Sequence, residues 1–69
     1  MKKECVFDFA GYVNGLTKGL DNWDYYGARI RQAVKRFERG YTGKVEAMNE
    51  LCDILMDIEN EKRQLSARF

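Results

Sequence analysis

Four residues, Gly40-Tyr41-Thr42-Gly43, separate two stretches whose apolar residues both recur every three or four positions. Two amphipathic helices on so short a connection can bury their stripes only by folding back on one another. The spacing therefore predicts an antiparallel αα-hairpin. The charge changes sign at the same place. From Arg29 to Arg39 lie Arg29, Arg31, Lys35, Arg36 and Arg39 against one acid, Glu38. From Glu46 to Glu61 lie Glu46, Glu50, Asp53, Asp57, Glu59 and Glu61 with no base among them. The formal net charge of the 69 residues is only +1, so this polarity is local. A hairpin sets the basic helix beside the acidic one, and their flanks are expected to pair across the seam.

Residues 44–66 give the clearest helical signal. At about 100° per residue, Val45, Met48, Leu51, Cys52, Ile54, Leu55, Met56 and Ile58 fill an apolar arc of roughly 200°. An arc this wide predicts two packing neighbours. Thr42 is the expected N-cap, and Glu46 suits the helix's positive end. In residues 22–39, Trp23, Tyr26, Ile30, Ala33, Val34 and Phe37 make a stripe about 120° wide. Asp21 or Asn22 suits the start of that helix, Arg39 its last turn and Gly40 a left-handed stop.

Residues 4–20 carry two readings. Val6, Phe9, Val13, Leu16 and Leu20 keep helical spacing, with Cys5, Ala10 and Tyr12 on the same side. Asn14-Gly15 is a strong hairpin signal, and Val6, Phe7, Phe9, Tyr12 and Val13 form strands readily. The helix is preferred because nearly every apolar residue except Phe7 falls on one helical face, whereas strand alternation breaks at Ala10-Gly11. The expected fold is all-α, one small three-helix domain spanning 1–69 with helices near 4–18, 22–39 and 44–66. An N-terminal β-hairpin followed by the αα-hairpin is the alternative. The expected core is Val6, Phe9, Val13, Leu16, Trp23, Tyr26, Ile30, Val34, Phe37, Val45, Met48, Leu51, Cys52, Leu55 and Ile58.

Several activities are excluded or poorly supported. There is no histidine, which removes His-based triads, relays and metal sites. Ser66 is the only serine, and no two carboxylates sit in contrasting settings that would separate their pKa values. No catalytic residue, cofactor site or metal site is expected, because single carboxylates on successive helical turns do not converge on one ion. Gly40-Tyr41-Thr42-Gly43-Lys44 hints at a phosphate loop. That motif needs glycine and Ser or Thr where Glu38 and Val45 stand. No apolar run reaches the roughly 18–20 residues of a membrane span, and Glu4 and Asp8 interrupt any export signal. Cys5 and Cys52 fall among apolar positions and are expected as buried thiols, with a cytoplasmic location.

What remains is recognition. Glu46, Glu50, Asp53, Asp57 and Glu61 form a straight acidic ridge about 20 Å long. Such a ridge suits a positively charged groove on a larger protein. The expected function is a non-enzymatic interaction module, an inhibitor or regulator. A phage or mobile-element inhibitor of a nucleic-acid-handling host protein would fit the pattern. The competing reading is a small DNA- or RNA-binding protein, dimeric, using Tyr25, Arg29, Arg31, Lys35, Arg36 and Arg39. A third is a structural subunit whose wide apolar arc is completed by self-association. The bland reading of either charged face is a solvated helix surface. Gly11, Gly15 and Gly19 would line one helical face opposite the apolar stripe, although a turn at Gly15 and a stop at Gly19 explain two of them. Glu59 falls inside the apolar arc and is expected to meet Lys62 or Arg63, or a partner's base.

Overall fold

The computed structural model describes the backbone of residues 2–67 and the side chains of residues 5–66. Residues 1, 68 and 69 of the expected domain lie outside the described residues. The chain forms three helices among the described residues, α1 (Lys2–Gly15), α2 (Trp23–Glu38) and α3 (Lys44–Ala67), each packed on the other two. The fold is all-α, and residues 4–20 contain no β-hairpin. Asn14 and Gly15 instead close α1. The Asn14 carbonyl accepts both the Thr17 amide at 3.1 Å and the Thr17 hydroxyl at 2.6 Å, which tightens the chain out of the helix. Shorter-range bonds continue to Leu20, so α1 ends three residues before the expected 18, and Gly19 turns the chain with φ of +86°.

α2 stops as its sequence predicts. Gly40 has φ of +83°, the Tyr41 amide bonds the Arg36 carbonyl at 2.9 Å, and the Gly40 amide bonds the Phe37 carbonyl at 3.1 Å. These two bonds are the Schellman pair, and they satisfy carbonyls that the helix end would otherwise orphan. The start of α3 differs from expectation. Its first intrahelical bond runs from the Ala47 amide to the Gly43 carbonyl, so Gly43 and not Thr42 is the N-cap. The Thr42 hydroxyl is buried and bonds nothing. The Glu46 carboxylate reaches back to the Gly43 amide at 3.3 Å, half of a capping box. That carboxylate already occupies the anion position at the helix end, a physical reason against phosphate there.

The core runs along the molecule through Val6, Val13, Leu20, Tyr26, Ile30, Leu51, Ile54 and Ile58. Each helix also contributes a buried alanine, Ala10, Ala33 and Ala47, where small side chains let backbones approach. Three expected core residues lie outside it. Trp23 is 58% exposed because α2 begins there and Leu20 takes the buried place at that end. Val45 is 72% exposed, and Cys52 is exposed too. Ala47, Leu51, Ile54 and Ile58 aim the buried face of α3 roughly 130–150° away from both, at 100° per residue. Cys5 is likewise exposed rather than buried. Phe9, Leu16, Val34, Phe37, Met48 and Leu55 are partly buried against the core. Phe7, the residue outside the apolar face of α1, packs edge-on against Phe37 of α2 at 6.4 Å.

Candidate functional site

The hairpin of α2 and α3 brings the two charged faces together. The Arg29 guanidinium donates to Asp57 at 2.8 Å, and Arg36 pairs with Glu50 one helical repeat away. Glu61 accepts hydrogen bonds from Asn22 at 3.0 Å and from the Tyr26 hydroxyl at 3.1 Å. Asn22 is thus the N-cap residue of α2 by position, but its side chain crosses to α3 and makes no cap bond. Burial pushes the Tyr26 phenol above its ordinary pKa, and the hydrogen bond to the Glu61 carboxylate adds to the shift. Arg29 is raised too, chiefly by its bond to Asp57, with burial opposing. Its guanidinium also lies 5.6 Å from the centre of the Tyr25 ring.

These contacts redistribute the acidic ridge. Glu50, Asp57 and Glu61 are engaged by α2, and Glu46 by the amide of its own N-cap. Asp53 sits beside Arg29 and Arg36 in the shallow cleft between them. Glu59 is exposed and pairs with neither Lys62 nor Arg63. The structure divides the basic residues just as sharply. Arg29 and Arg36 face α3, whereas Arg31, Lys35 and Arg39 are exposed, four residues apart, with no ion pair among the described residues. Tyr25 is exposed and packs edge-on against Tyr26.

On the other side of α2 lies an open cleft of about 400 Å³ against α1. Its apolar and small lining comes from Ala10, Gly11, Gly27, Ile30 and Val34, and its polar lining from Asn14, two cations, Arg31 and Lys35, and one acid, Glu38. A second hollow of about 290 Å³ shares Asn14, Gly27 and Arg31 with it and is bounded by Lys18 and Trp23. A Cβ placed on Gly11 or Gly15 would touch nothing within 4 Å. Packing within the chain therefore does not require those two glycines. Gly27 and Asn14 carry no apolar or charged signal in the sequence, and only the meeting of α1 with α2 reveals them.

Among the described residues no group of acids and cysteines converges as a metal site, and no helix is long and apolar enough to cross a membrane. Set against known proteins, the chain matches no family model, no curated protein and no solved structure.

Proposed function

We propose that this protein is a non-enzymatic interaction module of the inhibitor or regulator type, whose docking face is the cleft between α1 and α2. Its occupant is an acidic amphipathic helix of a partner protein. The observation that carries this reading is an apolar, glycine-containing floor beside two cations, Arg31 and Lys35, against one acid, Glu38, none of them in an ion pair among the described residues. Helix-in-groove recognition uses such a floor for apolar anchors and its rim for charge. Glycine inside a helix costs up to about 1 kcal/mol relative to alanine, and Gly11 gains nothing in return within the chain. A closely approaching backbone supplies the missing reason.

The acidic ridge is the weaker docking face. A partner binding there would compete with Arg29, Arg36, Asn22 and Tyr26 for the same carboxylates. A second reading retains nucleic acid, because Arg31, Lys35 and Arg39 form an exposed row on α2 with no ion pair among the described residues. Of the six residues the sequence suggests, Arg29 and Arg36 are paired with α3, and an apolar floor does not serve a phosphate backbone. A cytoplasmic setting suits the exposed Cys52 thiol.

Affinity capture from a lysate of the source cells, with and without nuclease, tests the reading. Gly11→Leu fills the cleft, and Arg31→Glu/Lys35→Glu reverses its charge; both are expected to lose the captured protein while keeping the helical circular dichroism signal. Asp53→Lys is expected to retain it. Undiminished capture by both cleft variants would sink the proposal. Loss on nuclease treatment, with a mobility shift that weakens steeply with salt, would transfer the site to nucleic acid.

A further inference from the structure

The three helices leave one apolar strip uncovered, on a different face from the cleft. Val45, Cys52 and Met56 project from the side of α3 turned away from the core, with Val45 72% and Met56 66% exposed. Met48 and Leu55 flank the strip and are only partly covered. Two exposed charges with no ion pair among the described residues bracket it, Lys44 before Val45 and Glu59 one turn beyond Met56. α3 already packs against both α1 and α2, so no further element among the described residues covers this side.

We infer that this strip is the interface of a homodimer, in which a second copy of α3 lies antiparallel across a two-fold axis near Cys52. Self-complementarity argues for a second copy over any other occupant. In an antiparallel pair related by such an axis, residues equally far before and after it meet on the same flank. With the axis between Leu51 and Cys52, Met48 meets the partner subunit's Leu55. Lys44 meets the partner subunit's Glu59. Symmetry repeats both contacts. On the opposite flank Val45 comes within a turn of the partner subunit's Met56, and Cys52 lies beside its own counterpart. Apolar contacts therefore fill the middle of the pairing, and opposite charges close its two ends. The same register satisfies both, which a strip built for an unrelated surface would have no reason to do. A chain of this size gains from such burial, since its single core is thin.

Sedimentation equilibrium in reducing buffer tests the dimer. The expected result is a concentration-dependent shift from monomer to dimer. Met56→Lys should weaken it on the order of a hundredfold, because one substitution removes an apolar contact twice. Lys44→Glu should weaken it through repeated like charges, and Lys44→Glu/Glu59→Lys should restore it. In a Cys5→Ser background, mild oxidation should give a dimer linked through Cys52 with unchanged helical content. A chain that stays monomeric at millimolar concentration overturns the inference and leaves the strip to a different occupant. So does a dimer indifferent to Met56→Lys, or one that the double charge reversal fails to restore.

Discussion

Tyr26 is where burial, charge and hydrogen bonding meet most closely in this molecule. Its ring is part of the core, while its hydroxyl reaches out to Glu61 on α3. Both effects favour the neutral phenol, so the folded chain holds this proton to higher pH than the unfolded chain, whose tyrosines titrate near the ordinary value of about 10. The contribution of this group to stability is complete below pH ~10 and is lost as pH rises through the folded value. The melting temperature is expected to fall above pH 10 more steeply in the native chain than in Tyr26→Phe. Parallel declines would remove Tyr26 as the source. Single residues also show what hydropathy alone misjudges. Trp23, the largest apolar side chain, is mostly exposed, while Ala33 and Ala47 are fully buried. Position along the helix decides exposure at Trp23, and closeness of approach selects alanine at the helix contacts.

At the scale of elements, glycine plays two opposite parts. Gly40 holds φ of +83° at the stop of α2, where an L side chain is strained. Gly11 lies inside α1 with open space where its Cβ would be. Urea denaturation should therefore show Gly40→Ala losing about 1 kcal/mol or more, and Gly11→Ala gaining about 0.5–1 kcal/mol. Equal effects of one sign would contradict this distinction. The ion pairs across the hairpin orient rather than stabilise. The Asp57 side chain is 56% exposed, and pairs so open to water contribute only about 0.2–1 kcal/mol. Their larger consequence is which surface charges they neutralise.

As a whole, the molecule is slender, 43 × 17 × 15 Å, with one narrow core along its length. Few layers of side chain stand between the centre and water, so each large core residue carries much of the stability. Leu51 and Ile54 are among the most fully buried side chains. Truncating either to alanine costs about 2–5 kcal/mol in a well-packed core. A domain this small holds only about 3–5 kcal/mol in all. Leu51→Ala and Ile54→Ala are expected to leave the chain largely unfolded at 25 °C, read as lost helical circular dichroism. A cooperative melt close to that of the native chain in either variant would show that stability comes from elsewhere.

The helical periods of residues 22–39 and 44–66 and the glycine stop at 40 are legible in the sequence because each depends on neighbours within a few turns, and the pairing of opposite charges follows from the short connection that folds the two helices together. The helix over the first segment is legible too, since Val6, Ala10 and Val13 share one face despite the hairpin signal at Asn14-Gly15. The sequence could not assign those charges between the seam and the surface. Arg29 and Arg31 are two residues apart and identical in type, yet one faces Asp57 and the other the α1–α2 cleft. Their separation follows from about 200° of rotation along α2 and from which helix lies on each side. Periodicity sets that rotation. Only the packing of three helices sets the neighbours, and with them the carboxylates already bound, the glycine-floored cleft and the strip of α3 left bare.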